Sequence, residues 1–231
     1  MAKRPVFLIS EKPPYFREET VEFVFFSGFA DSQKKKSVHS LHDAFLTRHP
    51  AERVMEISGA SESELGAALS AFHLRINTLD GKSYSVESAF QGSKIFERGG
   101  PYKDLLEKTS REAKKDPRLK NSGRLTGFRF SGKTFPLTPT TYFYNWLYIN
   151  ALCRHPELAE PLAEYTAFTD IAFNPERSIN CQACAAAVYV SLQRTSRLDN
   201  ALKSHIDFLH VVYGDAQTSP ACGQLSLWDR L

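Results

Sequence analysis

The chain has little of what would place it in several large classes of protein. It carries 4 cysteines in 231 residues, too few at this length for a disulfide scaffold, which fits a reducing compartment. Cys181 and Cys184 form a Cys-x-x-Cys pair. A structural zinc site needs four ligands, however, and a second clear pair is missing; Cys153 and His155 are the candidate partners. Ala183, Ala185, Ala186, Ala187, Val188 and Val190 surround the pair and favour two structural cysteines in a tightly packed helix. No apolar run approaches the roughly 18 residues of a membrane span. The opening Met1-Ala2-Lys3-Arg4-Pro5 leads into only a short apolar run, with no small-residue cleavage site. A cytoplasmic chain without a membrane partner is expected. Internal repeats and long linkers are also missing, so a single domain over residues 1–213 is expected, followed by a tail at 214–231.

Charge of one sign is scarce as well. A net charge of +3 does not by itself indicate a nucleic-acid partner. Its distribution is more informative. Lys34-Lys35-Lys36 stands near His39 and His42, and a second block holds Arg111, Lys114, Lys115, Arg118, Lys120 and Arg124 against only Glu112 and Asp116. Either block has the composition of a phosphate-tracking surface, although most such runs are simply solvated.

What is present is an ordinary globular composition, 42% hydrophobic and 24% charged, sufficient for one sizeable core. Residues 6–9, 21–25 and 53–57 read as strands and 41–48 as a short helix. Ser61-Glu62-Ser63-Glu64 is a capping-box pattern that predicts a helix through Phe72. Residues 74–76 and 83–84 flank the Asp80-Gly81 turn as a hairpin. Beyond Lys94 the periodicity is mostly helical, over 103–115, 140–153, 157–165, 179–194 and 198–212, interrupted by a hairpin-like stretch at 125–133. The expected fold class is α+β, predominantly helical, with a few short N-terminal strands.

One segment carries candidate chemistry. Read as a helix over 86–96, it puts Glu87, Gln91 and Lys94 within an arc of roughly 60°, at about 100° per residue. Phe90 and Ile95 flank that arc. From spacing alone this pattern fits either the floor of a pocket or a solvated stripe.

The longer string Asp80-Gly81-Lys82-Ser83-Tyr84-Ser85-Val86-Glu87-Ser88-Ala89-Phe90-Gln91-Gly92-Ser93-Lys94-Ile95-Phe96 resembles the signature of the NADAR family of N-glycosidases and ADP-ribosyl hydrolases. Four further stretches resemble the branch associated with DarT-type DNA ADP-ribosyltransferase toxins: residues 25–33, Gly99-Gly100-Pro101-Tyr102, residues 141–148 and residues 168–175. Shorter members carry a late Trp-Gly-rich motif that has no counterpart here, and residues 168–183 are its candidate replacement.

The resemblance implies a NADAR-like catalytic domain that removes ADP-ribose from guanine bases in DNA and so acts as antitoxin to a DarT-type toxin. The alternatives are an N-glycosidase on a free, riboflavin-pathway-like metabolite, and a non-catalytic module that binds ADP-ribose or the toxin. It also implies Lys94 as the nucleophile of a Schiff-base step and Glu87 as general acid and base, with Phe90 and its neighbours desolvating the lysine. No cofactor or metal is expected. Gln91 is the orienting residue. Ser27, Gly28, Gly99 and Gly100 are candidates for close approach to a pyrophosphate, Asp170 for ribose or base, and Trp146 for stacking. Separately, Gln224-Leu225-Ser226-Leu227-Trp228 resembles the Gln-Leu-x-Leu-Phe peptide that docks bacterial repair proteins on the sliding clamp; the competing reading is an amphipathic tail packed on the body.

Overall fold

The structure is a computed structural model that describes residues 1–28, 30–78, 80–176 and 178–214. The tail expected from 214 on, with its clamp-like peptide, lies outside the described residues apart from Gly214. In chain order the strands are β1 (Ala2–Ile9), β2 (Phe16–Phe23), β3 (Val54–Glu56), β4 (Arg75–Asn77), β5 (Ser83–Ser85), β6 (Lys94–Phe96), β7 (Leu125–Phe130), β8 (Lys133–Phe135) and β9 (Ala167–Thr169). The helices are α1 (Asp31–Leu46), α2 (Glu64–Ala68), α3 (Val86–Gly92), α4 (Ser110–Lys114), α5 (Arg118–Asn121), α6 (Tyr142–Leu152), α7 (Pro156–Ala159), α8 (Gln182–Arg194), α9 (Leu198–Leu202) and α10 (His205–Tyr213), with 3-10 segments at Lys103–Glu107 and Glu160–Glu164. Among the described residues no helix is long and apolar enough to cross a membrane.

The main sheet has the order β2-β1-β9-β3. β1 runs antiparallel to both β2 and β9, while β3 and β9 are parallel. Val6, Phe7 and Leu8 are all buried, which a two-residue period permits only when both faces of a strand are covered. Val6 and Leu8 pack with Val38, Leu41 and Phe45 of α1. Phe7 points the other way, into the larger cluster that includes α8. The strands are therefore not confined to the N-terminus: β9 joins this sheet from residue 167, and β6-β7-β8 form a second, antiparallel sheet. The fold is a mixture of helices and small sheets.

Several expected elements are shorter or displaced, each for a local reason. The helix expected through Phe72 is only α2. Ser63 is its N-cap without a side-chain cap, and Ser61 Oγ accepts from the Ser63 N–H at 3.3 Å. Its i→i−4 ladder stops at Leu69: Ser70 N–H turns to Ala67 O at 3.1 Å, and Ala71 N–H, which would continue the helix, donates to Gln182 Oε1 at 2.6 Å. The helix expected over 103–115 divides into a 3-10 turn and α4, because Thr109 and Glu112 form a capping box that restarts the chain.

α6 is buried on every side except at Asn150, as befits a helix apolar all round. Its aromatic string is mainly core. Phe143 stacks on Phe128 with ring centroids 4.7 Å apart, and Trp146 packs on Phe135 at 4.9 Å and Phe130 at 6.5 Å. The structure thus puts Trp146 in the packed interior and not among the cavity-lining residues. Trp146→Ala is expected to lower the unfolding free energy by about 3–5 kcal/mol through the lost burial and the residual void. Urea unfolding measures this; an unchanged midpoint would contradict the core placement.

Cys181 and Cys184 are buried free thiols at the start of α8. Among the described residues no group of three or more His, Cys, Asp or Glu side chains is placed to hold a metal ion.

Candidate active site

The residues of the Glu87 segment come together by a different local structure from the one its spacing suggests. α3 ends at Gly92, and Lys94 opens strand β6, opposite Phe128. Gly92 and Ser93 stop the helix. Ser93 caps it and returns its hydroxyl to the Ala89 carbonyl at 2.6 Å, and Ser93 O accepts from the Arg129 N–H at 2.8 Å, drawing the chain into the β6-β7 ladder. Lys94 therefore leaves the line of Glu87 and Gln91, yet all three face one cavity.

The start of α3 is fixed by full satisfaction of its free N–H groups. Val86 N–H donates to Leu74 O at 3.0 Å, Glu87 N–H to Ala71 O at 2.9 Å, and Ser88 N–H to the Ser85 hydroxyl at 3.0 Å. The Ser85 and Ser110 hydroxyls hydrogen-bond at 2.7 Å, and Ser88 Oγ donates to Lys108 O at 3.0 Å, tying this end to α4 and the turn before it. Gln182 buttresses the floor from α8, accepting from Ala71 N–H and donating to Ile57 O, both at 2.6 Å.

The cavity has a volume of about 960 Å³, within the range of small-molecule and cofactor sites. Glu87 is buried, accepts from Gln91 Nε2 at 2.9 Å, and has Lys114 Nζ 3.8 Å away. Gln91 thereby presents its other amide atom: Oε1 is buried with no protein partner among the described residues. Such an acceptor is costly unless a ligand donor meets it. Asn180, which also lines the cavity, has a buried Oδ1 in the same condition.

Lys94 is strongly altered by its surroundings. Its Nζ lies 5.0 Å from the Phe90 ring centroid, and the side chain is partly open, on the side that lines the cavity. Burial lowers its pKa to about 8, Glu87 opposes that shift and Lys114 adds to it. At pH 7 about a tenth of the amine is then free base, against a few parts in ten thousand for an ordinary lysine. Tyr144, whose ring meets Phe90 edge-on at 5.1 Å, stays protonated because burial and the Glu87 charge hold its pKa well above normal.

Asp170 follows β9 and lines the same cavity. Its Oδ1 accepts from the N–H groups of Ala172 at 3.0 Å and Phe173 at 3.2 Å, so it also organises its own turn. Burial, then the neighbouring Glu56 charge, pushes its carboxyl well above the usual range. Glu56 sits behind it on β3, accepting from Ser58 Oγ at 2.5 Å, Thr169 Oγ1 at 2.6 Å and Ile171 N–H at 2.9 Å.

Of the sequence candidates, Lys94, Glu87, Gln91, Phe90 and Asp170 line the cavity; Ser27, Gly28, Gly99, Gly100 and Trp146 do not. Ser27 and Gly28 lie in the exposed loop between β2 and α1, which Ser37 Oγ anchors by accepting from Phe26 N–H at 2.9 Å. Gly99 and Gly100 act behind the site. Gly99 O accepts from Phe96 N–H at 2.7 Å, and at Gly100, with φ +83°, a Cβ would run into the Lys94 carbonyl. Gly100→Ala is expected to cost about 2 kcal/mol or more of stability, read by thermal unfolding. An unaltered melting temperature would refute this tight packing under Lys94.

Phe72, Tyr144, Lys114 and Asn180 also line the cavity and escaped sequence reasoning as site residues. Tyr144 carried a signal as a member of the aromatic string, and Lys114 as a member of the second basic block.

A family model described as DarT1-associated NADAR antitoxin matches residues 2–221. No curated protein matches the chain. The match extends over nearly the whole chain, and the protein belongs to the NADAR-DarT1 family of antitoxins.

Proposed function

We propose that this antitoxin is an enzyme that removes ADP-ribose from guanine bases in DNA, with Lys94 as nucleophile and Glu87 as the proton-transferring carboxylate. The observation that carries the reading is the pairing of a desolvated lysine with a buried carboxylate in one cavity, with the unpartnered Gln91 oxygen beside them. A DarT-type toxin is the biological counterpart that family membership suggests.

In the proposed sequence, the Glu87 carboxylate carries a proton from the guanine N–H to the ribose ring oxygen, and the ring opens to an imine between the anomeric carbon and the guanine amine. The free amine of Lys94 adds to that carbon. Glu87 relays the two protons that the Lys94 amine loses to the guanine nitrogen, the guanine amine leaves, and a lysine Schiff base remains. Water adds to the same carbon and expels Lys94, so the net reaction consumes one water and yields unmodified guanine and ADP-ribose. Gln91 Oε1 and Asp170 orient the ribose, Asp170 as a protonated donor.

The test is incubation with an oligonucleotide carrying one ADP-ribosylated guanine. Release of ADP-ribose with restoration of guanine supports the reading; tight binding without release would favour a non-catalytic module, and action only on a free nucleotide-like metabolite would replace the substrate. The pH dependence follows from Lys94. Because its pKa is lowered, the acid limb of the rate should rise about tenfold per unit from pH 6 to 7 and flatten above about 8. A limb still climbing at pH 9.5 would mean an ordinary, solvated lysine.

A further inference from the structure

Part of the cavity lining is strongly cationic. Residues 111–124 contribute Arg111 and Lys114 from α4, Lys120 from α5, and Arg124. Their acidic neighbours are already occupied: Asp116 is held by Arg118 at 2.9 Å and Lys108 at 3.0 Å, and Glu112 caps α4 through Thr109. Lys114 faces Glu87 and Arg124 pairs with Glu97 at 3.3 Å. Arg111 and Lys120 are exposed, and neither has an ion-pair partner among the described residues.

Beside them is an open aromatic face. Phe72 is 39% exposed, whereas the lining rings of Phe90 and Tyr144 are 6% and 5% exposed. Lys114 Nζ sits 5.3 Å from the Phe72 ring, and Ser110 Oγ donates to Phe72 O at 3.1 Å, joining this turn to the start of α4. Unpaired cations and an open ring at one rim are the two elements of a single-strand dock: phosphates meet the charges and a base stacks on the ring. The other basic block is built differently. Lys34 pairs with Asp31 at 2.9 Å, and His42 turns inward to Thr169 Oγ1 at 2.8 Å; none of Lys34, Lys35 and Lys36 lines the cavity.

We propose that Phe72, Arg111 and Lys120 form the surface that docks the DNA strand beside the modified guanine, the two cations on phosphates and the ring against a neighbouring base. This rests on the reading that DNA is the substrate. The experiment compares kcat/KM on a single-stranded oligonucleotide bearing one ADP-ribosylated guanine with that on ADP-ribosylated guanosine, which has no DNA phosphates. In Arg111→Ala/Lys120→Ala the oligonucleotide-to-guanosine ratio falls about tenfold or more, and the log-log salt slope on the oligonucleotide weakens by about 1.4. Phe72→Ala lowers the ratio about tenfold and Phe72→Tyr restores it. Lys34→Ala/Lys35→Ala/Lys36→Ala retains the wild-type ratio. An unchanged ratio in the rim variants, including an equal fall on both substrates, overturns this proposal alone. A wild-type protein that acts on the guanosine conjugate and not on the oligonucleotide overturns the DNA reading, and the docking surface with it.

Discussion

Lys94→Ala should lower the rate of ADP-ribose release from guanine by about 1,000-fold or more, because the covalent route then has no nucleophile. Lys94→Arg should be as inactive, since it keeps a cation but supplies no amine that forms a Schiff base. The pair separates nucleophilic from electrostatic roles: an active arginine variant would mean that Lys94 serves only as a charge. Lys94→Ala should not unfold the protein. The ammonium is held in desolvating surroundings, so its removal relieves a cost of burial. Thermal unfolding of both variants alongside the rate measurement guards against a trivial loss.

Glu87→Gln should cost about 100- to 10,000-fold in kcat, the usual range for a positioned general acid or base. The substitution preserves shape and leaves an amide next to Gln91, so local packing survives while proton transfer does not. It also removes the negative charge that raises the Lys94 pKa. The residual activity should therefore have its acid limb displaced to lower pH. Loss of rate with no displacement would separate Glu87 from Lys94, and full activity would remove Glu87 from the chemistry.

Sequence and structure agree best where chemistry is densest. Glu87 and Gln91 sit four residues apart on one helical face, and the spacing is realised as a hydrogen bond. Lys94 belongs to the same site for a reason that helical periodicity misses: Gly92 and Ser93 end the helix, and a strand returns the lysine to the cavity. The two glycines at 99 and 100 were legible as places of close approach; at Gly100 a Cβ would meet the Lys94 carbonyl, and at Gly99 the Tyr102 hydroxyl. Trp146 was legible only as an aromatic at helical spacing, which core packing explains. The contribution of Phe72 to the rim could not be read, because the helix expected there ends where Ala71 N–H is taken by the distant Gln182 side chain. Periodicity carries no information about such partners.

The most direct test of the account is reductive trapping. The protein is mixed with the guanine-ADP-ribosylated oligonucleotide, quenched with borohydride, digested and mapped by mass spectrometry. The account predicts an ADP-ribose adduct on Lys94, absent from Lys94→Arg and increasing in initial rate from pH 6 to about 8. Complete turnover with no adduct on Lys94, or an adduct on a different lysine, would contradict it.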